Sequence, residues 1–437
     1  MDLNGALVSR EIRTSDRGDQ SRIFEASRSY LELAPNVSNK RRSTTQLLCS
    51  VYPKDVAIHD AAWNPELVAW TRECALTAGF DFAGVAPAPS ADDPQGADTA
   101  QRFSAWVDDG RAGEMEYLKR RDEQGDLLRL SARVALPWAR SVIVCAFNYN
   151  AAGPLSVDSA SAHQGWIARY TWNGRPDGTP IDYHDDLMNR LRQVEAALQA
   201  RVPCQAKCYV DTGPLLERDF AARAGVGWIG KNTCVLNQEK GSWLLLGIIV
   251  TSLDMESSVP VLAPDRCGSC TRCIDACPTN ALIAPRQMDA TRCISYLTIE
   301  KKGTIAEELR SLMGRQVFGC DICQDVCPWN RRAPVAEKHG LQTRSELINP
   351  ALDWLASLDQ PSFKRSFAGS PLERTKRHRL HRNVAIAMGN SGEKRFLPRL
   401  REWIADADPV LAEAAAWAIR KLEAGSTSGS IEGSPKV

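Results

Sequence analysis

The stretch Cys267-Gly-Ser-Cys-Thr-Arg-Cys-Ile-Asp-Ala-Cys-Pro278 places four cysteines in the spacing Cys-x2-Cys-x2-Cys-x3-Cys before a proline. A lone Cys293 follows, and Cys320-Asp-Ile-Cys-Gln-Asp-Val-Cys-Pro328 then places three more cysteines, again before a proline. Thiolate sulfur is the soft ligand that iron–sulfur clusters require. A run of four cysteines ending in Cys-Pro is the bacterial two-cluster ferredoxin signature, in which the fourth cysteine ligates the other cluster. The pattern predicts two clusters and a protein that moves single electrons.

Zinc is the main alternative for these cysteines, because Cys-x2-Cys pairs also bind zinc. A disulfide framework fits less well, since eight of the fourteen cysteines fall between residues 267 and 327 of a long chain. A reducing, cytosolic compartment is therefore expected. The remaining six lack cluster spacing: Cys49, Cys74, Cys145, Cys204, Cys208 and Cys234. Cys204 and Cys208 lie on or beside a predicted strand and are expected to be inert core thiols.

Composition excludes several other classes of protein. The chain has 437 residues, a net charge of +1, 43% hydrophobic and 24% charged residues. No apolar run approaches the roughly 18 residues of a membrane span, so no membrane partner is expected. The twin arginine Arg41-Arg42 lacks a sustained apolar stretch after it, and we interpret it as a chance pair and not an export signal.

The changing pattern along the chain predicts three folded parts and two disordered ends. Apolar strands alternate with helices in the first part, which indicates an α/β domain. The helices that follow the cysteines are amphipathic, at 381–389 and 394–423, and resemble HEAT-type repeats. The predicted parts are a disordered extension 1–60, an α/β domain 61–258, a ferredoxin-like module 259–335, an all-α domain 336–424 and a disordered tail 425–437.

The segment Gly225-Val-Gly-Trp-Ile-Gly230 matches the dinucleotide fingerprint Gly-x-Gly-x-x-Gly literally. Its context is wrong for a nucleotide site, because it follows a predicted helix instead of a strand. A glycine-rich wall that lets the backbone approach a flat cofactor fits better.

Asp211 ends a predicted strand and precedes a predicted helix at 214–224. It fits two roles. It could cap the helix, or it could act as a general acid at the edge of a sheet. Tyr183-His184, at the start of another predicted helix, only mildly favours a functional role.

The segment Lys364–Arg382 is strongly basic, with Glu373 as its only acid. Such a run is either a solvated face or a surface that binds phosphates. Its cations are Lys364, Arg365, Arg374, Lys376, Arg377, Arg379 and Arg382.

Taken together, these stretches resemble one family, the epoxyqueuosine reductases. The resemblance rests on motifs in order over about residues 65–424, including Val210-Asp-Thr-Gly-Pro-Leu-Leu-Glu-Arg, Ala224-Gly-Val-Gly-Trp-Ile-Gly-Lys-Asn-Thr, Arg292-Cys-Ile-Ser-Tyr-Leu-Thr-Ile-Glu, Phe318-Gly-Cys-Asp-Ile-Cys and Arg382-Asn-Val-Ala-Ile-Ala-Met-Gly-Asn-Ser-Gly. It implies a base-off cobalamin in the α/β domain, beside two [4Fe-4S] clusters. It also implies reduction of an epoxide at the wobble position of tRNA to the alkene of queuosine, the last step in making that nucleoside.

The resemblance also implies roles for single residues. Asp211 becomes the proton donor, next to the cobalamin. The expected cobalamin contacts are Asp211, Ser295, Cys320, Asp321, Ile322 and Cys323. The expected ligands are Cys267, Cys270, Cys273 and Cys327 for one cluster and Cys277, Cys293, Cys320 and Cys323 for the other. The expected partners are the tRNA anticodon loop and an unidentified electron donor, with the chain itself a monomer. A reductive dehalogenase-like enzyme acting on a small molecule, and a non-catalytic electron carrier, are the alternatives.

Overall fold

The computed structural model describes residues 62–90, 93–255, 263–336 and 341–424. The predicted extension 1–60, the twin arginine within it and the predicted tail 425–437 lie outside the described residues. The strands are β1 Phe82–Pro87, β2 Ser141–Asn148, β3 Trp166–Ile167, β4 Asn173–Gly174, β5 Ala206–Tyr209, β6 Trp228–Ile229, β7 Val235–Leu236, β8 Leu244–Thr251, β9 Leu282–Ala284, β10 Gln287–Met288, β11 Gln316–Phe318 and β12 Gln342–Thr343.

Helices carry most of the remaining regular structure. They are α1 Pro65–Thr77, α2 Pro94–Asp108, α3 Ala132–Ala135, α4 Tyr183–Arg201, α5 Glu217–Arg223, α6 Arg272–Asp275, α7 Ile294–Ile299, α8 Glu307–Arg310, α9 Ile322–Asp325, α10 Leu352–Ser357, α11 Gln360–Phe367, α12 Lys376–Ser391, α13 Leu397–Ile404 and α14 Pro409–Ala424. Within the part of the chain that the structure describes, no helix combines the length and apolar character needed to cross a membrane.

A four-stranded sheet in the order β1-β2-β8-β5 forms the centre of the first part. Val85 lies opposite Ile143, and Ile143 lies opposite Ile249. Every pair in this sheet is antiparallel, so the sheet differs from the parallel arrangement that alternating strands and helices favour. Strand β5 lies at the edge of the sheet and ends two residues before Asp211.

Each face of this sheet is covered by helices. On one face, α1 and α4 bury Trp70 and Leu191 against Phe147. On the other face, α5 buries Phe220 against Val144. Burial on both faces explains why β2 reads as a continuous apolar run, with all eight of its residues buried.

The glycine segment 225–230 follows helix α5 and leads into strand β6. This order is opposite to that of a dinucleotide fingerprint, which follows a strand and opens a helix. Gly227 is needed for packing, because an added Cβ would lie 2.0 Å from the carbonyl oxygen of Leu236.

The last part of the described chain contains three successive helices, α12, α13 and α14, where two were predicted. Residues 405–408 interrupt the predicted long helix, and Pro409 begins the next one. Their apolar side chains share a core with the cysteine-rich part, since Leu297 and Val384 belong to one buried cluster. The HEAT-type assignment and the boundary near residue 335 remain predictions.

Two neighbouring side chains of α12 bind this core to the cysteine-rich part. Arg382 is 1% exposed and donates to the carbonyl oxygens of Leu297, Lys301 and Gly303 at 2.7–2.8 Å. Burial lowers the pKa of Arg382 to about 10. Its guanidinium therefore serves as a buried donor to backbone carbonyls that would otherwise lack partners.

Asn383 makes the second half of this contact, which we call the Arg382–Asn383 clamp. Its Nδ2 atom donates to the carbonyl oxygens of Thr298 and Val317, both at 2.9 Å. Its Oδ1 atom accepts from Arg382. The clamp thus joins three segments of the chain through main-chain carbonyls.

Replacing Arg382 with methionine should lower the free energy of unfolding by about 3 kcal/mol, because several buried carbonyls lose their donor. The measurement is the urea midpoint, followed by helical circular dichroism. The matched control is Arg365→Met on the exposed side of α11, which should change stability by no more than about 0.5 kcal/mol. Equal midpoints for the two variants would contradict the role of the clamp.

Candidate cluster module and acid site

Three cysteines of the first predicted set lie close enough to repel one another electrostatically. Burial, together with the charges of Cys327 and Cys267, raises the pKa of Cys273 to about 11. Burial and the charge of Cys267 likewise raise the pKa of Cys327. The amide of Cys270 donates to the carbonyl of Cys267 at 3.0 Å, so these two cysteines lie in one turn of the loop.

The second predicted set includes Cys320, which lies between the buried residues Gly319 and Asp321. Burial raises the pKa of Cys320 well above its usual range, and the charges of Cys293 and Cys277 raise it further. The charges of Cys320 and Cys293 also contribute to the raised pKa of Cys323. The amide of Ala281 donates to the sulfur of Cys277 at 3.3 Å.

Cys277 ends the first run but lies near Cys293 and Cys320, whereas Cys327 ends the second run but lies near Cys267 and Cys273. The short helices α6 and α9, one in each run, pack against each other. This arrangement is compatible with the predicted crossing of the two runs, and the assignment of ligands to each cluster stays a prediction.

One cysteine outside the predicted ligand sets lies beside them. Cys234 shares a hydrogen bond with Cys323, which lowers the pKa of Cys234 and raises that of Cys323. Cys145, by contrast, is buried within β2. Nothing in the spacing of Cys234 could have revealed the contact.

Asp211 lies in the turn between β5 and α5, with a left-handed φ of 55°. Helix α5 begins only at Glu217, after Leu216 in the cap position, so the interpretation of Asp211 as a helix cap is wrong. Its carboxylate is half-exposed. Aspartate adopts this backbone conformation more readily than most side chains.

The first two residues of α4 contact the Asp211 carboxylate. The hydroxyl of Tyr183 donates to Oδ2 of Asp211, and His184 Nε2 lies 3.4 Å from the same oxygen. Asp182, the N-cap of α4, lies 2.8 Å from His184 Nδ1. Tyr183-His184, which the sequence favoured only mildly, is therefore part of the acid site.

A residue from the last part of the chain completes this side of the site. Arg374 donates to Oδ2 of Asp182 at 2.9 Å and lies 2.6 Å from Nδ1 of His184. Its guanidinium carbon is 5.9 Å from the centre of the Tyr183 ring. Arg374 thus supports the two residues that contact Asp211.

On its other side, Asp211 faces Glu217 and Arg129, neither of which was predicted. Arg129 is 8% exposed and donates to the carbonyl of Leu215 at 2.7 Å. Its charge acts on both Glu217 and Asp211, and the Tyr117 ring lies 5.9 Å away. Glu217 belongs to the same sequence motif as Asp211, and this shared motif was the only feature of the sequence that could have indicated its place in the site.

The remaining predicted contact residues lie on the cysteine-rich side. Ser295 is in α7, and Ile322 begins α9. Asp321 is buried and accepts a hydrogen bond from the backbone amide of Arg169 at 2.7 Å. The charges of Asp321 and Asp211 both act on Tyr170. This partly buried tyrosine therefore lies between the cysteine-rich part and the acid site.

The basic run does not form a single surface. Arg382 is buried in the clamp, and Arg379 is half-buried and donates to the carbonyl of Ile299 at 2.8 Å. The interpretation of all seven cations as one phosphate-binding patch is therefore wrong. Lys364, Arg365 and Lys376 remain exposed, and we call these three residues the basic surface.

Comparisons with known proteins agree with this arrangement. The family model described as "4Fe-4S double cluster binding domain" matches residues 266–330, and the model described as "Epoxyqueuosine reductase QueG, DUF1730" matches residues 129–212. Among curated proteins, the Xanthomonas campestris epoxyqueuosine reductase is 35% identical over 353 residues, covering 80% of this chain and 94% of the relative. The Escherichia coli epoxyqueuosine reductase is 35% identical over 352 residues, covering 80% and 87%.

Solved structures show the same likeness. An epoxyqueuosine reductase crystallised with an epoxyqueuosine-modified tRNA-Tyr stem loop has a TM-score of 0.70 and 31% identity, covering 82% of this chain and 90% of that chain. A Bacillus subtilis epoxyqueuosine reductase, described with its catalytic aspartate loop swung out of the active site, has a TM-score of 0.70 and 30% identity over the same shares. The double-cluster module and the adjoining acid site define an iron–sulfur oxidoreductase. More narrowly, the chain belongs to the epoxyqueuosine reductase family.

Replacing Cys320 with alanine should remove one of the two clusters, and with it about half of the bound iron. Cys234→Ala should keep both clusters although Cys234 touches Cys323, and Cys145→Ala is the buried control. Iron and acid-labile sulfide are counted on anaerobically purified protein. A full iron content in Cys320→Ala, or a loss in Cys234→Ala, would contradict the assigned ligand sets.

Proposed function

We propose that this chain reduces the epoxide of epoxyqueuosine at the wobble position of a tRNA to the alkene of queuosine, releasing water. One observation carries the proposal most directly. The half-exposed acid Asp211 lies just beyond the edge strand of the sheet, with Tyr183 and His184 beside its carboxylate, and the same chain carries a double-cluster cysteine module.

The two cysteine sets would hold the [4Fe-4S] clusters. When bound, such clusters supply electrons one at a time. The chain is more enclosed around Cys320 of the second set than around Cys267 of the first, because Gly319 and Asp321 are buried whereas Arg266 and Gly268 are exposed. This difference supports electron entry at the first set and delivery from the second.

A cobalamin would lie between the acid site and the second cysteine set. The residues there fit a large cofactor that carries amide groups. The Tyr117 ring is 46% exposed, and Nε of the buried Arg129 has no hydrogen-bond partner among the described residues. Asp211, Ser295 and the loop formed by Cys320, Asp321, Ile322 and Cys323 would contact it. When bound, cobalamin supplies a strongly reducing cobalt centre for the epoxide.

Asp211 would give its proton to the oxygen of the epoxide. An epoxide oxygen leaves readily only when it is protonated, and a carboxyl group at hydrogen-bonding distance can act as the acid. Tyr183 and His184 would hold the carboxyl in place from one side. Burial raises the pKa of Tyr183 well above its usual range, so this hydroxyl keeps its proton and acts as a hydrogen-bond donor.

The tRNA would reach this site as a single-stranded loop. Proteins usually read such loops by splaying a base out of the stack into a pocket. The basic surface on α11 and at the start of α12 would bind backbone phosphates. The relative crystallised with a modified stem loop supports a tRNA substrate.

Reconstituted protein should convert an epoxyqueuosine-containing stem loop to the queuosine form under reducing, anaerobic conditions, as measured by nucleoside mass spectrometry. Asp211→Asn should lose turnover by about 100- to 10,000-fold, because it removes the general acid. It should bind the stem loop normally, since asparagine keeps the size of the side chain.

The control for this experiment is Asp177→Asn, an exposed aspartate in the turn before α4. It should behave as the unmodified protein does. No conversion by the unmodified, fully loaded protein would refute the proposed function, and full turnover by Asp211→Asn would refute the role of this residue alone.

Reversing charge on the basic surface should weaken binding of the stem loop. Lys364→Glu combined with Arg365→Glu should reduce the slope of log affinity against log salt concentration by about one for each lost phosphate contact. Arg72→Glu, exposed on α1, is the control for net charge. Binding is measured by fluorescence anisotropy at several salt concentrations. An unchanged slope would show that the basic surface does not contact the phosphates of the stem loop.

A further inference from the structure

The reduction needs two protons, but Asp211 carries one at a time. An epoxide that becomes an alkene consumes two electrons and two protons, and its oxygen leaves as water. Asp211 is half-exposed when no substrate is bound. A tRNA loop that places its base at this carboxyl also covers it, and so separates Asp211 from bulk water. The second proton must then come from a group behind Asp211.

Glu217 lies in that position. It is the first residue of α5, and its carboxyl reaches back over the turn to the side chain and the backbone amide of Asp211. The Oε1 atom of Glu217 is shielded from solvent and has no hydrogen-bond partner among the described residues. A buried carboxylate oxygen that lacks a donor is costly, which favours the neutral acid, with its hydroxyl hydrogen on the other oxygen, facing Asp211.

The charges around Glu217 favour the protonated acid. Burial raises the pKa of Glu217 well above its usual range, and the negative charge of Asp211 raises it further. Arg129 and the backbone amide of Asp211 act in the opposite direction but more weakly. Tyr117 and Arg120 act on Arg129 in turn. Of two carboxyls this close, one retains its proton at neutral pH, as in other carboxyl pairs.

The polar groups on the opposite side of Asp211 already take part in other hydrogen bonds or ion pairs. His184 is bonded through Nδ1 to Asp182, and Arg374 contacts both. Tyr183 already donates its hydroxyl hydrogen to Asp211. Glu217 differs from them, because its Oε1 atom has no hydrogen-bond partner among the described residues.

We infer that Glu217 is the internal proton source that reloads Asp211 between the two protonations of the leaving oxygen. This inference rests on the proposed function. Asp211 gives its proton to the epoxide oxygen as the first C–O bond breaks, and the hydroxyl of the Glu217 carboxyl then passes its proton to the Asp211 carboxylate. Asp211 gives this second proton to the new hydroxyl group, which leaves as water when the second C–O bond breaks and the C=C bond forms. The two electrons are those of the proposed reduction. Glu217 regains a proton from solvent after product release.

The test is Glu217→Gln in the fully loaded protein. Glutamine has the same size and still donates a hydrogen bond to Asp211, but it cannot pass on a proton. We expect kcat to fall about 10- to 100-fold, with stem-loop affinity within about twofold of the unmodified protein. The unmodified protein should lose activity as pH rises through the raised pKa of Glu217, because only the acid form can reload Asp211. The variant should lack this decline.

The matched control is Asp219→Asn on the same helix. The Asp219 carboxylate is bonded to Arg223 and Thr99 and does not contact Asp211. It should keep kcat and the pH profile. An unchanged kcat and pH profile in Glu217→Gln would overturn the inference, as would a loss of stem-loop affinity that accounts for the whole effect. No turnover by the unmodified protein would instead overturn the proposed function.

A second measurement does not depend on turnover. Infrared difference spectra of the unmodified holoprotein, titrated with base, should show the carbonyl band of a protonated carboxylic acid that persists above neutral pH. This band should be missing from Glu217→Gln and present in Asp219→Asn. An unmodified protein without the band would overturn the inference even if the variant folds poorly.

Discussion

The contacts of Arg382 and Asn383 with main-chain carbonyls determine where the second set of cysteines lies. Arg382 binds carbonyls just after Cys293, and Asn383 binds Val317, three residues before Cys320. Cys293 and Cys320 come from different segments of the chain and are predicted to bind one cluster. A short loop has too little apolar surface to fix such a meeting, so a rigid helix does it instead. The helical part of the chain is therefore a support for the cysteine-rich part.

The same helix links the cysteine sites to the acid site. Arg374, just before α12, contacts Asp182 and His184 at the start of α4. Tyr183 from that helix reaches Asp211, and Tyr170 stacks edge-on against Tyr183 with ring centres 5.8 Å apart. A displacement of α12 would thus disturb the cysteines and the acid together. This shared support gives a physical reason for the wide spread of the family motifs along the chain.

The cysteine spacing predicted the double-cluster module, which the family model over residues 266–330 confirms, because cluster ligation depends on local spacing that the sequence records directly. The sequence also predicted helix α1, because Asn64 in the cap position and Pro65 at the first helical position are local signals. The pairing direction of the strands was less accessible, since alternating strands and helices are compatible with both directions. The basic run misled for a different reason. Sequence shows that Arg382 is charged, but only the fold shows that its guanidinium is enclosed by carbonyls. Cys234 and Glu217 were missed because their roles come from contacts with Cys323 and Asp211. No regular spacing in the sequence indicates either contact.

The chain around Cys267 and the chain around Cys320 are enclosed to different degrees, and this has a consequence for the protein in air. Gly268, Ser269 and Arg272 are exposed beside the first set, whereas Gly319 and Asp321 are buried beside Cys320. Oxidants reach an exposed iron–sulfur site before a buried one. Damage should therefore begin at the first set and leave the inner one intact for longer. A partly degraded molecule would keep its shape and its substrate surface, yet it would be disconnected from its supply of electrons.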